Sequence, residues 1–274
     1  APFLAEKASS SVMSIISPRS FKCYLFCQNN KAFPELNQQL VLRESEKKLN
    51  EMRTSSMNSL QASRNQVLQH IADACKQAQR EPETVQLLAV SKAHLSESLR
   101  EMYQTGQRAF GENYLQEALD KIEKLNDLAI EWHFIGHVQR NKTKHLAASF
   151  AWVHGVDRLM IAERLSKQRE ANQAPLNICL QVNIDAQESK DGCQPNEVAE
   201  LVKNISQLPH LKLRGLMVIP APNNTHAFAD AKQLFDAVKQ QHAQPEDWDT
   251  LSMGMSGDMV EAIAAGSTMV RVGT

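Results

Sequence analysis

From residue 85 onward the chain alternates between short apolar runs and longer stretches with helical spacing. The apolar runs are VQLLAVS (85–91), RAFGEN (108–113), EWHFIG (131–136), WVHGVD (152–157), NICLQVNI (177–184), LRGLMVIP (213–220), TLSMGM (250–255) and TMVRVG (268–273). The helical stretches between them cover 96–106, 114–125, 158–169, 195–208, 227–241 and 258–266, and a further helix precedes the first run at 59–79. Asp157 stands as the N-cap of 158–169, and Pro195 opens its helix where a missing N–H does no harm. Strict alternation of strand and helix builds a parallel sheet with helical crossovers. Eight strands over this length predict an α/β fold, a closed (β/α)8 barrel of the TIM type with an added N-terminal helix, such barrels taking about 250 residues. A doubly wound open sheet is the alternative.

In such a barrel the chemistry sits at the C-terminal ends of the strands. LLAVSK places Lys92 at the end of the first. A lysine there is either a plain surface residue or a functional amine, because an ammonium is costly to bury unpartnered. At the other end of the chain LSMGMSGDM (251–259) runs from strand to helix through Ser256, Gly257 and Asp258. That turn is either an ordinary N-cap or an anion site. STMVRVGT (267–274) carries Arg271, Gly273 and Thr274. Closure sets the eighth strand beside the first, so Ser256, Gly273 and Thr274 fall near Lys92. A phosphate cradle beside a strand-end lysine describes a pocket for pyridoxal 5′-phosphate (PLP), whose aldehyde the lysine would hold as an imine. Val270 and Val272 facing outward would turn Arg271 inward. There it would either face the pyridine nitrogen, leaving it unprotonated, or pair with Glu112 or Asp185. A partly desolvated pocket with Arg271 nearby would keep some of the Lys92 amine neutral.

Composition narrows the function classes. Across the 274 residues the formal net charge is −1, so there is no basic excess to engage nucleic acid. No apolar run approaches the roughly 20 residues of a membrane helix. The five cysteines are odd in number and scattered, which suits a reducing, cytoplasmic setting better than a disulfide framework. Cys23 and Cys27 in CYLFC have no second ligand pair nearby, and His133 and His137 in HFIGH have no third ligand, so no metal site is expected. Basic QRNKTK (139–144) reads as a solvated helix start. Residues 1–56 differ in kind: SSS, a proline, NN and the charged RESEKK predict partial helix near 35–52 and otherwise a poorly ordered extension, with the functional domain at 57–274.

Seven blocks then resemble one family in order and wording: AVSK (89–92), GQRAFGENYLQEALDKI (106–122), EWHFIGHVQRNKTK (131–144), VHGVDRL (153–159), LQVNI (180–184), LRGLMVIPAP (213–222) and LSMGMSGDMVEAIAAGSTMVRVGT (251–274). From about Met57 onward the chain resembles the pyridoxal phosphate homeostasis protein family. The resemblance implies a monomeric barrel like the N-terminal domain of alanine racemase. It implies Lys92 as the Schiff-base lysine, Ser256, Gly273 and Thr274 as phosphate contacts, Arg271 facing the pyridine nitrogen, and Asn113 near the cofactor. It further implies a carrier or buffer of PLP, with PLP-dependent apo-enzymes as recipients and no established turnover. The chain departs from the family in its first 56 residues, in His94 where many members carry a second lysine, and in stopping at Thr274, which predicts a truncated phosphate cradle.

The competing class is a PLP-dependent racemase-like enzyme. A two-base racemase needs a second acid/base group across from the lysine. Tyr24, Tyr103 and Tyr114 are the tyrosines, and Tyr114 alone follows a strand end. A Schiff-base aldolase acting on a phosphorylated sugar would share barrel, lysine and phosphate site but hold no chromophore.

Overall fold

The computed structural model describes residues 35–187, 190–222, 224 and 226–273. Residues 1–34, with Cys23, Cys27 and Tyr24, and the C-terminal Thr274 lie outside the described residues. The chain divides into two units, 1–56 and 57–274. Helix α1 (Glu35–Gln77) begins in the first and supplies its last turns to the second. The partial helix expected near 35–52 and the helix expected at 59–79 are thus one element.

The second unit is a closed barrel of eight parallel strands in sequential order, which excludes the open sheet. Its strands are β1 (Gln86–Val90), β2 (Ala109–Glu112), β3 (Glu131–Phe134), β4 (Trp152–Val156), β5 (Leu176–Val182), β6 (Leu211–Val218), β7 (Thr250–Ser252) and β8 (Met269–Gly273). The crossovers carry α2 (Ser96–Gln104), α3 (Leu115–Lys124), α4 (Thr143–Ser149), α5 (Leu159–Gln168), α6 (Val198–Ile205), α7 (His226–Val238) and α8 (Met259–Ala264). Strands of a parallel sheet are buried on both faces, and so they read as continuous apolar runs. The short α4 follows a 3-10 turn at Arg140–Lys142, where the basic run had shown only a helix start. Asp157 is not a side-chain cap. Helix α5 starts one residue later, its N-cap is Arg158, and the Asp157 carboxylate pairs with Arg158 at 2.9 Å instead.

Apolar packing separates into an annulus and an interior. The annulus joins outward strand residues such as Phe110, Val153 and Leu216 to helix residues such as Leu146, Leu165 and Phe228. The end of α1 seals the barrel seam: Ile71, Ala74 and Cys75 pack with Val85, Val270, Met259 and Ile263. Burying a side chain the size of Ile263 contributes about 2 kcal/mol. Inside, Leu88, Ala109 and Met269 form one small cluster and Trp152, Cys179 and Met217 another. The remaining interior is polar: His133, His154, Ser252 and Arg271 are all buried. No helix among the described residues is long and apolar enough to cross a membrane.

Candidate functional site

Strand β1 ends at Val90, and the chain then turns through Ser91, Lys92 and Ala93, with Ala93 in the left-handed region at φ 65°. A buried ion cluster behind the turn holds both neighbours of Lys92. The Lys121 ammonium of α3 donates to the Ser91 carbonyl (2.7 Å), to Glu112 (2.7 Å) and to Glu117 (2.6 Å). The Ser91 hydroxyl donates to Glu112 at 2.5 Å, and the Ala93 N–H donates to Glu117 at 2.6 Å. Burial raises the Glu112 pKa against the pull of Lys121 and Ser91. At Glu117 burial also opposes ionisation, but the hydrogen bonds from Lys121 and Ala93 hold its pKa below the usual value. Buried ion pairs add little net stability, yet they are strict about geometry. This one fixes the turn and leaves Lys92 exposed on the barrel rim.

Strand register arranges the neighbours. Val90 pairs with Gly111 on one side and with Gly273 on the other. Two residues further along, Asn113 follows β2 as Lys92 follows β1. Asn113 is half-buried, and its Oδ1 is buried with no hydrogen bond among the described residues. A side chain at Gly136 would strike the Asn113 carbonyl, since a Cβ there would lie 2.3 Å from it. Beyond β7, the Ser256 hydroxyl reaches the Gly273 carbonyl at 3.5 Å. Asp258 shapes that turn by accepting the Met255 N–H at 2.6 Å. Gly254 makes it possible, with φ 93° and a Cβ position only 2.5 Å from that of Ala262. Ser256, Gly257 and Gly273 are exposed at the mouth.

Arg271 lies deeper, beside Leu88 in the β1–β8 register. Its guanidinium donates to the Ser252 hydroxyl and to the Val218 carbonyl, both at 2.9 Å. The acids considered for it on sequence grounds are engaged elsewhere. Glu112 points outward into the Lys121 cluster, being on the opposite pleat from the interior. Asp185 binds Lys190 (3.0 Å), Asn224 (2.5 Å) and the Ala221 N–H (2.5 Å). Burial pushes the Arg271 pKa down to about 10, with Asp258 pulling the other way, so it remains a cation at neutral pH. His133 faces the barrel interior whereas His137 pairs with Asp191 at 3.0 Å, so the two do not converge. Tyr103 stacks against Arg108 at the opposite end of the barrel, and Tyr114 is 64% exposed at the start of α3.

Comparison with known proteins bears on the family of the chain. Residues 66–274 match the family described as alanine racemase, N-terminal domain. The pyridoxal phosphate homeostasis protein of Haemophilus influenzae is 48% identical over 223 residues, 79% of this chain and 94% of that protein. Its counterpart in Escherichia coli K12 is 46% identical over 223 residues, 80% and 95% of the two chains. The chain belongs to the pyridoxal phosphate homeostasis protein family. The structure of PipY from Synechococcus elongatus PCC7942 with PLP bound is 36% identical, with a TM-score of 0.63 over 74% of this chain and 97% of that one.

Two groups of this family member escaped the sequence reading. The Ser91–Glu112–Glu117–Lys121 cluster had a signal: an acid closing the buried strand AFGE, and a Glu–Lys pair four apart on the next helix. The buried His154 and Ser252 had a weaker one, polar residues in otherwise apolar strands.

Lys121→Met should destabilise the fold by about 3 kcal/mol in urea unfolding, by stranding Glu112 in the interior, and Glu112→Leu on top of it should recover most of that loss. A loss under about 0.5 kcal/mol would contradict the clamp. The histidines generate a pH expectation. Burial lowers the pKa of His133, against the pull of Glu131, and that of His154 well below 6.5, where neighbouring His133 and Arg271 act in the same direction. The unfolded chain binds these protons first as pH falls, so their stabilisation is full above about pH 6.5 and is lost below it. A histidine that stays neutral in the folded protein contributes a slope of up to about 1.4 kcal/mol per pH unit in that window. Glu112 and Asp157, with pKa values raised by burial, act in the opposite sense, so the comparison must be between variants. His154→Gln should reduce the acid-side slope by about one proton, measured by urea unfolding from pH 7 to 5.

Proposed function

We propose that residues 57–274 bind PLP at the barrel mouth, covalently through Lys92, and that the protein serves PLP homeostasis as a carrier without substantial turnover. The observation that carries this reading is the clamped turn that presents the Lys92 amine between Asn113 on one side and the Gly273–Ser256 edge on the other. Bound there, the cofactor brings an aldehyde to which an amine adds with loss of water, and a ring that withdraws electrons best when its nitrogen is protonated.

Each residue has a fitting role. Lys92 supplies the amine. Asn113 supplies a buried acceptor that the protein leaves unpartnered, which suits a ligand's hydrogen-bond donor. Ser256 and Gly273 supply the hydroxyl and the exposed backbone of a phosphate cradle, to which Thr274, outside the described residues, would add. Arg271 supplies a fixed cationic donor from below. Because a guanidinium does not surrender its proton near neutrality, a ring nitrogen facing it stays unprotonated, which favours holding the cofactor over reacting through it.

The racemase-like alternative finds less support. Tyr114 stands exposed on the rim and Tyr103 lies at the far end of the barrel. The relatives' name, pyridoxal phosphate homeostasis protein, fits a homeostatic role, and PLP-dependent apo-enzymes are the natural recipients of a carried cofactor. We place the protein in the cytoplasm as a monomer, a setting that suits Cys75, Cys179 and Cys193, all buried free thiols.

Addition of PLP followed by desalting should leave a visible absorbance band on the wild type and none on Lys92→Ala. A band of equal strength on the variant would overturn the assignment of Lys92. The loaded protein should racemise alanine or serine no faster than free cofactor does, and a rate far above that would overturn the carrier reading.

A further inference from the structure

Arg271 has no carboxylate within salt-bridge distance among the described residues, yet it begins a file of side chains that ends on one. Its Nη1 donates to Ser252 Oγ at 2.9 Å. Ser252 Oγ lies 3.2 Å from His154 Nδ1, and His154 Nε2 lies 3.0 Å from His133 Nδ1. His133 Nε2 lies 2.8 Å from Glu131 Oε1. Ser252, His154 and His133 are wholly buried, whereas the Glu131 side chain is 42% exposed at the N-terminal end of β3. The file thus crosses the barrel from near the mouth to the solvent on its opposite face.

With both rings neutral, the carboxylate end sets the direction of every bond in the file. A guanidinium can only donate, and an ionised carboxylate can only accept. Ser252 accepts from Arg271 and passes its own hydrogen to His154 Nδ1. His154 then carries its proton on Nε2 and donates to His133 Nδ1. His133 likewise carries its proton on Nε2 and donates to Glu131. Burial disfavours a second proton on either ring. The His133 ring is further held by stacking on Trp152, with centroids 5.2 Å apart and planes 7° from parallel. Trp152 in turn lies under the Arg214 guanidinium, 5.0 Å from its centroid.

We propose that Ser252, His154, His133 and Glu131 form a one-way hydrogen-bond relay that positions the Arg271 guanidinium and balances its charge from the far face of the barrel. None of the four is placed against the cofactor, so they are positioning residues acting through Arg271. The functional consequence rests on the reading of Arg271 as the group facing the ring nitrogen. The relay itself does not. Linked hydrogen bonds of this kind polarise one another, so a change at Glu131 is felt at Arg271 although the two do not touch.

The first test needs no cofactor. Ring-nitrogen NMR of the full chain at pH 7 should show His133 and His154 both neutral and both protonated on Nε2. Either ring protonated on Nδ1, or doubly protonated, would overturn the relay. The second test uses the PLP-loaded protein. Glu131→Met should shift the pH midpoint of the visible band, and Glu131→Asp should restore it. Glu131 sits at the surface, far from the mouth, so a merely local structural role would leave that midpoint unmoved, and an unmoved midpoint would overturn the positioning role. If the wild type retains no band, or Lys92→Ala retains it, the PLP reading fails while the tautomers still decide the relay.

Discussion

Everything at the mouth depends on the pairing of β1 with β8. Five residue pairs, from Gln86↔Met269 to Val90↔Gly273, join the two ends of the barrel-forming sequence and close the sheet. Without that seam Lys92 and Gly273 would lie at opposite edges of an open sheet. The seam is sealed from outside by α1, whose last turns bury Val270 and Val85, and from inside by Leu88 against Met269. A rim of loops can then present its side chains with little motion, because the scaffold beneath is packed on both faces of every strand.

The barrel handles buried charge in two ways. Behind the sheet, Glu112 and Lys121 are a direct ion pair, and the geometry they demand holds the turn that carries Lys92. Inside it, Arg271 has no such partner among the described residues, and its counter-charge stands at the end of a file of hydrogen-bonded groups. The first arrangement fixes a backbone and the second fixes a side chain. Both set groups at the mouth from residues that do not reach it, and the two sets share no member.

The barrel was legible because its strands are buried on both faces and read as largely apolar runs, and its crossovers are long enough for helix periodicity to register. What failed was local. Asp157 resembled an N-cap, but the helix began one residue too late for its carboxylate to reach the helix N–H groups. Glu112 resembled a partner for Arg271, because alternation along a strand of four residues leaves its facing ambiguous until the neighbouring strands are known. The left-handed Ala93 beside Lys92 has no sequence signature, alanine being an uncommon residue there. The His133–His154 contact joins residues 21 apart on adjacent strands and needs the register to be seen.

The central claim is that one amine on this barrel, that of Lys92, is the covalent seat of PLP. Borohydride reduction of the PLP-treated protein followed by peptide mapping tests it most directly, because reduction makes the linkage permanent and the map names the lysine. Label confined to the peptide containing Lys92 is the expected result. Label on another lysine, or spread evenly over the exposed ones, would contradict the account.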